Sequence, residues 1–254
     1  MRKFFAKPAL VLGFVLAMNA NGFAAGITTV ATLPWTNTNA LVLNKNLTAD
    51  IAKEIVRQVI ISSSFRNDLD MDVSQPDIWD YGFYDVNGDG SLRLLAILDY
   101  SGRGISSYLA VISHDALGFH VSILDTTAAK RGGGQLSKLK NMLTNIKGDG
   151  HLELIVSRAI THRKNRTQPF PYFDDIYSFE HGQFVLANKS FLSYYRNVDI
   201  PALNSKIEKQ RAEIAKQQAM KVPLIDQERS RQQLQTLETS LVAVQTYLAS
   251  GVEP

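Results

Sequence analysis

Two stretches decide the architecture: Tyr84-Asp85-Val86-Asn87-Gly88-Asp89-Gly90-Ser91-Leu92-Arg93-Leu94-Leu95-Ala96 and Thr144-Asn145-Ile146-Lys147-Gly148-Asp149-Gly150-His151-Leu152-Glu153-Leu154-Ile155-Val156. They align position for position, with Asp85 and Asn145 60 residues apart. In each, a Gly-Asp-Gly turn is followed by an apolar run, and glycine permits the left-handed backbone that a sharp turn needs. Further on, Tyr108–Phe119 (YLAVISHDALGF) parallels Asp175–Phe184 (DIYSFEHGQF): an apolar strand, a polar turn, then Phe. Each unit reads as strand, acidic loop, strand and hairpin. The expectation is a mainly β chain with helices, in which a four-stranded antiparallel unit occurs twice. Repeats of this kind bury one another's faces.

Working outward, residues 78–191 are short segments rich in Leu, Ile, Val and aromatics: Leu92–Tyr100, Ser107–Ser113, Phe119–Leu124, Leu152–Ser157, Ile176–Glu180 and Phe184–Ala187. His181-Gly182, between two of them, predicts a tight hairpin. Residues 25–45 have strand-prone Thr and Val without clear periodicity, and Pro34-Trp35 marks an extended or turn segment. From Leu47, the positions Leu47, Ile51, Ile55, Val59 and Ile60 keep helical spacing through Ser62, with Thr48 or Asn46 as cap, which predicts one amphipathic helix. Residues 203–250 read as helix with a break at Val222-Pro223. Leu234, Leu237, Leu241, Val244 and Leu248 alternate steps of three and four, so a helical hairpin leaning on the β core is expected. The organisation is thus 1–24 signal peptide, 25–77 N-terminal segment, 78–200 β-repeat body and 201–254 helical tail.

The signal rests on three basic residues (Arg2, Lys3, Lys7), the apolar run Pro8–Met18 and small residues up to a cleavage point after Ala24. This pattern marks a secretory leader, and the run is well short of the roughly 20 residues that span a bilayer. Without the leader, 24 basic residues face 24 acidic ones, so the formal +3 of the whole chain belongs to the leader and nucleic acid is not an expected partner. The cluster Arg158, His162, Arg163, Lys164 and Arg166 reads as a solvated loop. With no Cys there is neither a disulfide framework nor a thiolate site.

The turn Asp85-Val86-Asn87-Gly88-Asp89-Gly90 places side-chain oxygens at alternate positions, which suits a hard Ca²⁺ ion needing about 6–8 oxygens. Its ligands would be the Asp85, Asn87 and Asp89 side chains and the Ser91 carbonyl, with Arg93 standing where a further carboxylate often sits. The second turn keeps Asn145, Asp149 and Glu153 but has Lys147 at a ligand position. The other reading of both turns is metal-free: tight β-turns whose Asp and Gly satisfy backbone groups. An EF-hand is excluded, because Ala96 replaces its closing Glu and strands flank the loop. Asp68, Asp70 and Asp72 form a further acidic run that reads as an exposed loop.

At these residues, Phe83 to Leu95 and, in degraded form, Asn145 to Val156, the chain resembles FG-GAP/VCBS-type repeat proteins, over about residues 78–191. The resemblance implies blades of a β-propeller and loops that bind Ca²⁺ through Asp85, Asn87 and Asp89, with Asp149 and Glu153 as remnants. Arg93 and Lys147 depart from the pattern. Two units cannot close a propeller, which needs at least about four blades, so a compact two-sheet body or closure by oligomerisation is expected.

No catalytic set stands out. The five His residues lack zinc spacing, no nucleophile elbow or P-loop is present, and Arg131-Gly132-Gly133-Gly134 has no following Lys-Ser/Thr. Asp174 and Asp175 are adjacent on an expected strand, so they point to opposite faces. Trp79, Tyr81, Phe83, Tyr172, Phe173, Tyr194 and Tyr195 read as core and sheet packing more readily than as a sugar-binding face. The function that follows is an exported, non-enzymatic β-repeat module of the bacterial envelope or exterior. It would present a face or loops to a protein or glycan partner, and its C-terminal helical hairpin would serve docking or self-association. The alternative is a secreted polysaccharide-acting hydrolase with carboxylates from Asp174, Asp175, Glu180 or the acidic loops.

Overall fold

A computed structural model of the chain describes residues 37–62, 77–100, 106–115, 118–126, 138–160 and 170–254. The leader, the acidic run at 68–72, the glycine run at 131–134 and the basic stretch at 162–166 lie outside the described residues.

The two repeats fold as two four-stranded antiparallel sheets, each with its strands in sequence order and neither closed into a barrel. The first contains β1 (Asp77–Tyr84), β2 (Arg93–Tyr100), β3 (Ser106–Asp115) and β4 (Gly118–Asp125). The second contains β5 (Leu143–Thr144), β6 (Glu153–Ala159), β7 (Tyr172–Glu180) and β8 (Gln183–Leu186). Successive strand residues face opposite sides, so the unbroken apolar run Leu94-Leu95-Ala96-Ile97-Leu98 requires cover on both faces. It receives both. Leu94, Ala96 and Leu98, joined across β3 by Ala110 and Ile112, pack against Ile51, Ile55, Val56 and Val59 of helix α2 (Ala49–Ser62). The opposite face, Leu95, Ile97, Leu109 and Val111, packs on Leu154, Val156 and Phe184 of the second sheet. Phe173 and Ile176 of that sheet are covered by the C-terminal helices through Leu203, Val244 and Tyr247. The layers therefore run helix, sheet, sheet, helices. Fully burying each large apolar side chain in these three clusters contributes roughly 1.5–3 kcal/mol.

Upstream of α2, Asn37–Asn46 is a helix, α1, and Pro34-Trp35 lies outside the described residues. Leu43 and Leu47 pack on the α2–sheet cluster, and this tertiary contact overrides the poor helix propensity of the Asn residues. Thr48 accepts the Ile51 N–H through Oγ1 at 3.3 Å, as an N-cap side chain does.

The repeats differ at their first strands. β1 has eight residues and β5 only two, because Leu139–Met142 instead forms a helical turn, α3, that buries Leu139 and Met142 in the sheet–sheet seam. Asp80 of β1, just after the register shift at Trp79, accepts the Leu139 N–H at 2.7 Å, so the first sheet ties down the entry to the second. His181 and Gly182 have φ of +50° and +85°, the all-positive backbone of a type I′ turn, and close the β7–β8 hairpin at Glu180↔Gln183.

Helices α4 (Ile200–Ala219) and α5 (Leu224–Ser250) form an antiparallel hairpin. Leu237, Leu241, Val244 and Leu248 of the heptad stripe face the second sheet. Arg211 pairs with Glu238 at 2.9 Å across the hairpin, and Gln210 Nε2 donates to the Ser230 carbonyl at 3.1 Å. Gly251, with φ +69°, ends α5, donating its N–H to the Tyr247 carbonyl at 2.7 Å.

Candidate functional site: the paired Gly-Asp-Gly loops

Both acidic turns lie between the first two strands of their sheets, and the packing of the sheets brings them side by side. The Leu152 N–H donates to the Val86 carbonyl at 3.0 Å across the two loops. A Cβ built on Gly88 would lie 2.9 Å from the Gly150 carbonyl oxygen, so the two turns touch backbone to backbone. Val86, between them, is fully buried.

In the first loop, Asp85 Oδ1 accepts the Asp89 N–H at 3.2 Å and Oδ2 accepts the Gly90 N–H at 2.8 Å. Asp89 Oδ1 accepts the Ser91 N–H at 2.8 Å, and its Oδ2 accepts from Asn87 Nδ2 at 3.3 Å. Arg93 reaches back from the start of β2. Its Nη1 donates to the Ser91 carbonyl at 3.0 Å, and its Nη2 lies 3.6 Å from Asp89 Oδ2. Partial burial acts upward on the Asp89 carboxyl, but the Ser91 N–H, Asn87 and the Arg93 charge together hold it below its ordinary value. The guanidinium also stacks over the Phe179 ring of the second sheet, 5.0 Å from its centroid.

The second loop repeats the backbone-holding pattern. Asn145 Oδ1 accepts the Gly148 N–H at 2.7 Å and the Asp149 N–H at 3.1 Å, and Asp149 Oδ1 accepts the His151 N–H at 3.0 Å. Glu153 is turned inward, buried, and accepts the Ile146 N–H at 2.8 Å. Lys147 places its ammonium 4.7 Å from the Phe191 ring centroid.

Ca²⁺ fits neither arrangement. In the first loop, two of the four expected ligands, Asp89 and the Ser91 carbonyl, already face a guanidinium, and a divalent ion there would be repelled at close range. In the second, Glu153 is committed to a backbone N–H. Among the described residues, no group of three or more His, Asp or Glu side chains converges as a metal site.

The adjacent Asp174 and Asp175 of β7 have separate partners. Asp174 accepts from Ser157 Oγ on the neighbouring strand, and burial pushes its carboxyl above the ordinary carboxylate range. Asp175, buried, accepts from Arg158 Nε at 2.5 Å and from Asn188 Nδ2 at 3.0 Å; burial raises its pKa, and these two partners oppose the rise. Glu180 is exposed at the β7–β8 turn. The aromatics fall on opposite sides of the double sheet: Phe83 and Tyr81 lie against α2, while Tyr172, Phe173, Tyr194 and Tyr195 lie under the C-terminal helices.

One polar cluster escaped sequence reading. Asn188, in a 3₁₀ turn after β8, has an amide oxygen that accepts the Ile176 N–H at 2.7 Å and lies 2.9 Å from Tyr195 Oη. Its Nδ2 also donates to Glu253 at 3.1 Å, and Arg158 Nη1 donates to the Pro254 carbonyl at 2.7 Å. Arg158 is thus a strand residue paired with a buried carboxylate, contrary to the solvated-loop expectation. The signal was a charged residue at the end of the apolar β6 run, opposite Phe173 and diagonal to Asp175.

Helix α4 brings a second set of titratable groups to β7. Asp199 is buried, and its carboxyl is pushed up to about 7, chiefly by burial and then by the Asp174 charge, against the opposing Lys206. Lys206 Nζ donates to Tyr172 Oη at 3.0 Å.

At the bend of the hairpin, Met220, Leu224 and Ile225 are 66%, 78% and 72% exposed. They flank an open cleft of about 410 Å³ whose lining includes Glu213, Lys216, Met220, Asp226 and Arg229, with no aromatic. No helix among the described residues is long and apolar enough to cross a membrane. No family model, curated protein or solved structure matches the chain.

Proposed function

We propose that the chain is an exported, non-enzymatic β-repeat protein, a binding or structural module of the bacterial envelope or exterior. Its two blade-like units form a stack rather than a propeller. The amphipathic helix from Ala49 and the C-terminal hairpin act as terminal caps, which repeat stacks need to keep their end faces out of water. The hairpin is also the docking element, for a protein or glycan partner or for a second copy of the chain.

The observation that carries this reading is the division of labour among side chains. Asp174, Asp175, Asp85 and Glu153 are engaged in the fold, through Ser157, Arg158, Asn188 and backbone N–H groups. Large apolar side chains, by contrast, are left in water at the hairpin bend, at Met220, Leu224 and Ile225. The charge balance of 24 against 24 without the leader supports a partner that is not nucleic acid.

Expression of the full chain, with subcellular fractionation and mass determination of the product, tests export: cleavage after Ala24 and recovery outside the cytoplasm are expected. The non-enzymatic part fails if the purified protein releases reducing sugar from a polysaccharide panel and Asp174→Asn or Asp175→Asn abolishes that release.

A further inference from the structure

We infer that Arg93 is the built-in cation of the first Gly-Asp-Gly loop: its guanidinium takes the place of a divalent ion, and the loop is held without metal. A cation serving this turn would draw on Asp89, on the Ser91 carbonyl and on side chains nearby. Arg93 Nη1 donates to that carbonyl at 3.0 Å, and Nη2 lies 3.6 Å from Asp89 Oδ2. The Arg93 side chain is only 13% exposed, and its guanidinium carbon lies over the Phe179 ring, 5.0 Å from the centroid, so packing of the second sheet fixes the charge in place. A guanidinium suits this post better than an ammonium, because it donates in two directions in one plane while stacking on an aromatic ring. The remaining acceptors need no metal either, since both Asp85 oxygens take backbone N–H groups.

The arrangement also joins the repeats. A metal ion would order only its own loop, whereas Arg93 connects the loop of the first sheet to a ring of the second. The second loop shows a related solution: Lys147, the other residue that breaks the metal pattern, lies over Phe191 beneath the C-terminal helices. In each loop the residue that departs from the metal pattern is a cation resting on an aromatic ring of another layer.

The test uses thermal unfolding of the purified protein in 5 mM Ca²⁺, in 5 mM Mg²⁺ and in chelator. A ligand that binds only the folded state must raise the midpoint. Wild type is expected to melt at the same temperature in all three. Arg93→Asp, which removes the cation and supplies a carboxylate, is expected to melt several degrees lower in chelator and to recover part of that loss in Ca²⁺ but not in Mg²⁺. A wild-type midpoint that rises in Ca²⁺, or an Arg93→Asp protein that melts like wild type in chelator or ignores Ca²⁺, overturns the inference. If Arg93→Asp does not fold, Arg93→Gln decides: a lowered midpoint in chelator supports the assignment, and an unchanged one overturns it.

Discussion

Gly88 and Gly150, one from each repeat, meet where the two loops stack, and a Cβ on Gly88 would sit 2.9 Å from the Gly150 carbonyl oxygen. Gly88 also has φ of +65°, a backbone that L side chains rarely adopt. Gly90, with φ of +78°, carries the same conformational demand but has nothing within 4 Å of an added Cβ. The pair separates strain from contact. Gly90→Ala is expected to cost about 1–2 kcal/mol, the left-handed penalty alone. Gly88→Ala is expected to cost about 2 kcal/mol more, because backbone must move in both repeats. Equilibrium denaturation of the two variants measures the difference, and equal losses would dismiss the loop contact as energetically idle.

Asn188 is the centre of the polar cluster under the C-terminal helices. Replacing it with Leu removes the acceptor of the buried Ile176 N–H and a donor to the Asp175 carboxylate. A buried group left without its partner costs roughly 1–3 kcal/mol, more when charged. A loss of about 3–4 kcal/mol is therefore expected in urea unfolding. Glu253→Gln, at an exposed residue that can still accept from Asn188, is expected to change stability by under about 0.5 kcal/mol.

Asp199 gives the fold a pH dependence of predictable sign. Its folded pKa of about 7 lies above the ordinary 3.8, so between those values the folded state holds more protons than the unfolded chain. Stability then falls as pH rises through that window and is flat above it. Three units at roughly 1.4 kcal/mol each bound the loss at about 4 kcal/mol. The half-buried Asp174, also raised by burial, adds in the same direction, while Lys206 opposes the rise at Asp199. Asp199→Asn is expected to flatten most of the slope and to be more stable than wild type at pH 8. Melting temperatures of both proteins from pH 4 to 8 check this, and parallel slopes would contradict it.

The repeat architecture was legible because its signals are local. Gly-Asp-Gly turns, the I′ dipeptide His181-Gly182 and the two-faced run Leu94–Leu98 each announce their own geometry. The shortened β5 was not legible, because Leu139 and Met142 are apolar at a spacing that a strand or a helical turn accommodates. The choice between them is made by the seam between sheets and by Asp80, far away in sequence. The loops are legible as a repeated turn, and so is the departure of Arg93 from a metal-binding pattern, but the placement of Arg93 over Phe179 depends on sheet packing that no spacing rule reveals. Asn188 and Arg158 gave less warning, since a buried polar network is defined by partners from β6, β7 and the chain's last residues.

The hairpin bend offers the sharpest contrast between stability and docking. Met220, Leu224 and Ile225 are mostly in water, so a triple substitution to Ser removes little buried area and is expected to shift stability by no more than about 0.5–1 kcal/mol. Val244→Ala, in the core at the other end of the hairpin, is expected to cost about 2–3 kcal/mol, since the helices there cannot close over the lost volume. If the bend is the docking element, the triple variant keeps the wild-type melting temperature and loses association, read as a smaller sedimentation coefficient for self-association or as lost capture of an envelope partner. Val244→Ala lowers the melting temperature and retains association while folded. A triple variant that associates like wild type would move docking elsewhere on the molecule, since only the bend has been altered.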